Sequence, residues 1–197
     1  MKFTDFLAAI IFLASLPIIL IISFFILTIN GRPLFYSHQR IGKNGKKFYC
    51  YKFRTMKNNI DMMIKNDPKL FKKFVDNNYK IPESFNPYSK IGQFLRKSNI
   101  DEIPQIINIL KGEMSLVGPR PIVDKEIDHY NEEEKILLLS VKPGITGYWQ
   151  VNGRNKIKYP ERKEYELFYA KNHSFYLDLK IIMQTIFVVL KGDNSIT

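Results

Sequence analysis

Hydrophobic positions divide the chain sharply. Positions 6–29 hold no charged residue and are almost wholly apolar. As a helix rising ~1.5 Å per residue, that run reaches roughly 36 Å, enough to cross a hydrocarbon core of ~30 Å. It has no polar face, which argues against a buried soluble helix. Its apolar part is too long for a cleaved signal peptide, and no A-x-A-like site follows it. Pro17 near the middle removes a backbone donor and bends a helix there, and Ser15 offers a hydroxyl to the freed backbone. The run is expected to enter the membrane, either spanning it or bending to re-emerge on the side it entered. Arg32, Arg40, Lys43, Lys46, Lys47, Lys52 and Arg54 follow it closely, so the positive-inside rule places the remainder in the cytoplasm, against an anionic lipid surface.

Beyond the apolar run the period changes. Two β-rich stretches, 33–40 and 47–55, flank Gly42-Lys43-Asn44-Gly45 and predict a hairpin. Alternation alone does not say which of its faces meets a ligand, so Lys52 and Arg54 fit a solvated edge and a binding face equally well. Helical spacing predicts two short helices within 56–78, broken at Asp67-Pro68. A proline- and asparagine-bearing loop over 79–88 and a short element over 91–95 come next. Positions 123–140 read as one acidic amphipathic helix, 148–151 as an aromatic strand, and 161–171 and 175–191 as two closing helices. The last is apolar enough to be buried or to lie at the membrane interface.

One stretch, 98–121, gathers chemistry. Ile103, Ile106, Ile107 and Leu110 recur at helical spacing, and Gly112 marks a stop. Pro104 is free of cost only among the first helical positions, which sets the N-cap near Asp101. Asp101 and Glu102 thus stand at the positive end of a helix, where carboxylates are also favoured for purely structural reasons. Gly118-Pro119-Arg120-Pro121 adds to them an arginine held extended between two prolines, with its fork of donors presented. Two carboxylates and a fixed arginine are parts that hold Mg²⁺ and a phosphorylated substrate. Arg154, on the turn Asn152-Gly153-Arg154-Asn155, is free to reach a ligand, although a lone turn arginine is more often solvated.

Composition narrows the partner. Thirty Lys and Arg against nineteen Asp and Glu give a formal charge of +11, which calls for an anionic partner. Hydrophobic residues make up 45% of the chain, enough for a packed core and against a disordered chain. Cys50 stands alone, so no internal disulfide is available, and it is expected to be a buried strand residue in a reducing compartment. His38, His129 and His173 have no ligand spacing. The chain lacks a P-loop, a G-x-G-x-x-G after a strand, a G-x-S-x-G elbow and an RNA-binding signature.

Five ordered motifs then carry a resemblance. They are Gln39-Arg40-Ile41-Gly42; Tyr51-Lys52-Phe53-Arg54-Thr55-Met56; Asp101-Glu102-Ile103-Pro104-Gln105; Lys111-Gly112-Glu113-Met114-Ser115-Leu116-Val117-Gly118-Pro119-Arg120-Pro121; and Val141-Lys142-Pro143-Gly144-Ile145-Thr146-Gly147 with Gln150-Val151-Asn152-Gly153-Arg154. In these the chain resembles the bacterial sugar transferase family, monotopic phosphoglycosyl transferases that start surface glycans on a polyprenyl phosphate carrier. The resemblance covers nearly the whole length. It implies an α+β fold, mainly helical with a small β-hairpin, an N-terminal re-entrant membrane helix and interfacial amphipathic helices. Residues 1–31 would be the membrane-inserted helix and 32–197 the catalytic domain, on the cytoplasmic face of the bacterial inner membrane. It also implies an Asp-Glu dyad with Mg²⁺, in which Asp101 is the nucleophile and Glu102 its metal-holding partner. The family commonly places serine directly before the helix-breaking proline, whereas here the order is Ser15-Leu16-Pro17.

The expected reaction moves a sugar 1-phosphate from a UDP-sugar to polyprenyl phosphate through a phospho-sugar aspartate, releasing UMP. Lys52, Arg54 and Arg120 would bind phosphate, Asp101 and Glu102 the metal, and Gln150 and Arg154 the nucleotide sugar. The length of the segment between Met56 and Arg96 looks like the branch that transfers hexose 1-phosphates such as galactose or glucose. Membrane phospholipid is an expected partner and nucleic acid is not, while the oligomeric state is left open. The alternative is a non-enzymatic, membrane-tethered basic module binding anionic lipid or nucleic acid.

Overall fold

A computed structural model of the chain describes residues 3–58, 60–76 and 85–191, and the predicted loop over 79–88 therefore lies partly outside the described residues. The architecture is mainly helical, with two small sheets. Helix α1, Phe3–Asn30, runs as one helix with Pro17 inside it. Its 28 residues correspond to about 42 Å at ~1.5 Å per residue. The side chains of much of its first half, Ser15 among them, lie outside the described residues, and among those described no helix is long and apolar enough to cross a membrane. Its second half is anchored. Ile26 is fully buried against Phe53 and Leu95, with Ile19, Ile22, Ile100 and Ile103 packed around them.

The hairpin forms as its sequence predicts. Strand β1, Phe35–Ile41, pairs antiparallel with β2, Lys47–Phe53, and His38 faces Cys50 in register. The turn between them needs left-handed backbone at Asn44 (φ 57) and Gly45 (φ 74), which Asn and Gly supply at little cost. Phe48 and Cys50 point inward, where Ile109 and Met114 cover them. Lys52 follows two residues further on, and residues i and i+2 share a strand face, so the inward face of β2 ends in a lysine.

Helices α2, Ile60–Asn66, and α3, Pro68–Asp76, are separated at Asp67, whose Oδ1 accepts from the Lys69 and Leu70 amides. Helix α4, Lys90–Lys97, is capped by the Ser89 side chain on the Gly92 amide. Asn99 then adopts left-handed backbone (φ 57) and turns the chain into a 3-10 segment, Ile100–Gln105, which passes into the short helix α5, Ile106–Leu110. The expected N-cap at Asp101 is thus two residues late. Asn99 occupies that place because its short side chain tolerates the left-handed backbone that the reversal after α4 requires. Gly112, at φ +77, ends α5 as expected.

A second sheet escapes the periodicity of the sequence. Strand β3, Ser115–Val117, runs parallel to β4, Gly144–Thr146, pairing Ser115 with Gly144 and Val117 with Thr146. The segments approach so closely that a Cβ on Gly144 would lie 2.0 Å from the Gly118 amide nitrogen, and one on Gly118 would lie 2.4 Å from the Lys142 carbonyl oxygen. Between these strands, the helix predicted over 123–140 is broken. A turn and a 3-10 segment, Ile127–His129, precede helix α6, Glu132–Leu139. Asn131 and Glu134 form a capping box that starts α6 there, since this pair satisfies two terminal donors at once. The predicted strand at 148–151 is instead one helical turn, α7, Tyr148–Val151. The β-forming side chains are overridden by burial of Trp149, whose Nε1 donates to the Ile157 carbonyl at 3.1 Å. Helices α8, Glu161–Asn172, and α9, Phe175–Lys191, close the chain near the expected bounds. Tyr169 ties them to β3, its hydroxyl donating to the Val117 carbonyl while it also contacts Asp178.

Candidate active site

Three pieces of chain meet at Glu102: the end of β2, the 3-10 segment after Asn99, and the paired β3 and β4 with the turns that follow them. A polar cleft there is lined by Arg40, Lys52, Glu102, Gln105, Arg120 and Gln150, with Cys50 at its base. A larger cleft of about 770 Å³, open to solvent, adjoins it and shares Glu102, Arg120, Ile145 and Gln150. Asn99 and Arg154 extend its polar wall, and Val188 and Val189 of α9 its apolar one.

An ion pair in the site joins Lys52 to Glu102, Nζ to Oε1 at 2.6 Å, with 28% and 20% of the two side chains exposed. Burial alone would raise the pKa of Glu102. The charge and hydrogen bond of Lys52, with the charges of Arg120 and Arg154, outweigh it and hold Glu102 below the usual carboxylate range. Asp101, one residue away, differs. It is 7% exposed, and burial pushes its carboxyl up to about 6, although Lys52 and Arg96 pull it down. A place at the positive end of a helix therefore does not decide its ionisation: desolvation exceeds the local positive charge. Glu102 lines both clefts, whereas Asp101 is not among their lining residues.

Around these carboxylates stand four cations. Arg40 donates Nη1 to the Pro121 carbonyl at 3.2 Å, and burial, followed by the nearby charge of Arg120, lowers its pKa. Arg120 lies over the Trp149 ring, 5.8 Å from its centroid. Arg154, in left-handed backbone at φ 50, donates Nη2 to Asn99 Oδ1 at 2.5 Å. Cations crowded into a cleft with fewer acids make a receptor for a multiply charged anion. The oxygen-only donor set of Asp101 and Glu102 suits a hard divalent cation, which commonly takes one or two carboxylates and completes its shell with water and substrate phosphate. Among the described residues no group of three or more His, Cys, Asp or Glu gathers as a metal cage.

Of the residues singled out from sequence, Lys52, Glu102, Arg120, Gln150 and Arg154 converge on the clefts, and Asp101, buried, precedes Glu102 in the chain. The Oε1 of Gln150 is buried without a hydrogen-bond partner. Arg54 does not join them. Its guanidinium caps the end of α1, donating to the carbonyls of Asn30, Gly31 (2.6 Å) and Arg32 (2.9 Å) and to the Asn58 side chain. The strand ends at Phe53, so Arg54 is released from the face that aims Lys52 inward and turns to the unpaired carbonyls at the C-terminus of α1. Arg40 and Gln105 are cleft residues not singled out as site candidates from sequence; both lie in the motifs, and Arg40 stood otherwise only among the basic residues behind the apolar run. Asn108 gave no signal at all. It is fully buried and bonds the Tyr49 carbonyl, the Tyr51 amide and Glu113, fixing α5 to β2 and so setting the position of the acidic pair.

The bacterial sugar transferase profile matches residues 1–192. The chain belongs to the bacterial sugar transferase family. It is 42% identical over 181 residues to an uncharacterised sugar transferase of Haemophilus influenzae, covering 90% of this chain and 38% of that protein. To the undecaprenyl-phosphate galactose phosphotransferase of Salmonella typhimurium it is 38% identical over 195 residues, covering 97% of this chain and 40% of that protein. To the exopolysaccharide production protein ExoY of Sinorhizobium fredii it is 38% identical over 196 residues, covering 97% and 85%. The chain thus spans about two fifths of the first two relatives and most of the third.

Proposed function

We propose that this member of the bacterial sugar transferase family transfers a hexose 1-phosphate from a UDP-sugar to a polyprenyl phosphate of the undecaprenyl type. The observation that carries the reading is the set of Arg40, Lys52, Arg120 and Arg154 lining two adjoining clefts that share Glu102, with Asp101 its neighbour in the chain. A UDP-sugar and a lipid phosphate both bring anionic phosphate to such a site, and the name of the Salmonella relative joins undecaprenyl phosphate to galactose phosphotransfer. The non-enzymatic alternative would need the charge but not the buried Asp101 beside it.

Asp101 attacks the sugar-bearing phosphorus, a bond forms from its carboxylate oxygen, and the bond to UMP breaks. Burial leaves this carboxylate poorly hydrated and more basic than usual, while a pKa of about 6 still leaves most of it ionised at pH 7. Arg120, Arg40 and Lys52 neutralise the phosphate oxygens, and Arg154 with Gln150 holds the nucleotide side. The lipid phosphate then displaces Asp101 from phosphorus, giving a polyprenyl diphosphate sugar and the free carboxylate. Bound Mg²⁺, held by Asp101 and Glu102, would supply further neutralisation of phosphate charge. In this reading residues 1–31 are a re-entrant membrane anchor bent at Pro17, and residues 32–197 lie on the cytoplasmic face, with apolar residues of α2, α3 and α9 at the lipid interface.

The test is UMP release from purified membranes given polyprenyl phosphate and a panel of UDP-hexoses. Wild type is expected to turn over one of them. With UDP-sugar and no lipid it should gain the mass of a sugar phosphate on Asp101. An adduct on Glu102 would reverse the two roles. Absence of UMP release with every sugar would favour the non-enzymatic module.

A further inference from the structure

Arg120 sits within a closed circuit of contacts. Its guanidinium lies over Trp149, 5.8 Å from the ring centroid, and that of Arg162 lies over the same ring at 4.5 Å. Arg162 bonds Glu126 at 3.2 Å, and Glu126 meets Arg40 at 3.8 Å while accepting from the Val123 amide at 3.1 Å. Arg40 in turn holds the Pro121 carbonyl at 3.2 Å, which returns the circuit to the residue next to Arg120. Backbone and side chain of Arg120 are thereby fixed from two directions.

Trp149 is the member that touches the Arg120 side chain. It is 4% exposed, its Nε1 is bonded to the Ile157 carbonyl, and Arg162 is itself buried, with Nε on Glu166 at 2.8 Å. An indole so held is a rigid shelf, and a guanidinium lying over it at cation–π distance loses rotamer freedom before substrate arrives. Trp149 lines neither cleft, and the cleft cation its ring carries is Arg120.

We infer that Trp149, backed by Arg162, is a positioning residue that presents Arg120 to the substrate phosphates. This rests on the phosphate-binding reading of Arg120 above. Binding is read by calorimetry with UDP in a cycle of Trp149→Leu and Arg120→Ala. Trp149→Leu should weaken UDP binding about five- to tenfold in the wild-type background, in the range of a lost cation–π contact with its preorganisation, and by less than about twofold when Arg120 is already alanine. Trp149→Phe, which keeps a ring face but loses the Nε1 bond, should recover most of the affinity. Equal losses in both backgrounds would overturn the inference and make Trp149 structural. No UDP binding by wild type would instead overturn the substrate reading.

A second measurement needs no change at Trp149. It is the single tryptophan of the chain, so its fluorescence reports on the surroundings of this one ring, of which Arg120 is the cleft-side cation. UDP should change the emission of wild type, and Arg120→Ala should abolish that change while calorimetry still detects binding through Lys52 and Arg40. Persistence of the fluorescence change in Arg120→Ala would remove Arg120 from contact with the shelf and sink the proposal.

Discussion

Asp101→Asn removes a charge that the fold resists while keeping the shape of the side chain. The carboxyl, moved from its usual 3.8 to about 6 at 7% exposure, corresponds to about 3 kcal/mol of preference for the neutral form. The sign follows from proton counts. Between pH 4 and 6 the folded chain keeps a proton on Asp101 that the unfolded chain has released, so stability is fully present below 3.8 and is lost as pH rises through 6. At pH 7.5 the native state therefore carries the whole cost of ionising Asp101, and Asp101→Asn lifts it. Allowing for imperfect replacement of polar contacts, the variant should be about 1–3 kcal/mol more stable at pH 7.5, or roughly 2–12 °C in thermal midpoint for a chain of this size. Near pH 4 the difference should nearly vanish. The assay is thermal unfolding of detergent-purified wild type and variant from pH 4 to 8 in chelator, which keeps divalent cations out of the comparison. A variant equally or less stable at pH 7.5, or a difference independent of pH, would refute the reasoning. A divalent cation held by Asp101 would lower this value, so the acid limb of kcat/KM should lie below pH 6.

Other outcomes follow from single contacts. Arg120→Lys keeps the charge but loses the planar fork, so UMP release should fall by about a hundredfold while the thermal midpoint moves little; normal activity in a destabilised protein would make Arg120 structural. Arg54→Gln should do the reverse, costing about 1–3 kcal/mol as the carbonyls at the end of α1 lose a charged donor, with specific activity of the folded fraction retained. A selective rise in KM for the UDP-sugar would return Arg54 to the phosphate site. For the anchor, cysteines placed at positions 2 and 43 should label from the same side of sealed vesicles, and Pro17→Leu should shift the segment toward spanning; labelling of wild-type background from opposite sides would rule out a re-entrant helix.

The linear sequence by itself determined whatever local chemistry dictates. Alternation and a Gly-flanked turn are enough for the hairpin of β1 and β2, Asp67-Pro68 for the break between α2 and α3, and Gly112 for the end of α5. The motif residues Lys52, Glu102, Arg120 and Arg154 were legible because arginine, lysine and paired carboxylates carry their chemistry in their identity. Tertiary structure decided the rest through contacts between residues far apart in the chain. Hydrophobic periodicity gave no hint of the parallel pairing of β3 with β4, because each strand is three residues long and held by glycines that allow close backbone approach. Burial of Trp149 turned an apparent strand into a helical turn, and the carbonyls at the end of α1 drew Arg54 away from the site. The unequal ionisation of Asp101 and Glu102 is likewise a property of their surroundings. Neighbours in sequence with the same charge, they differ because Lys52 reaches one carboxylate at 2.6 Å while the packed chain takes water from the other.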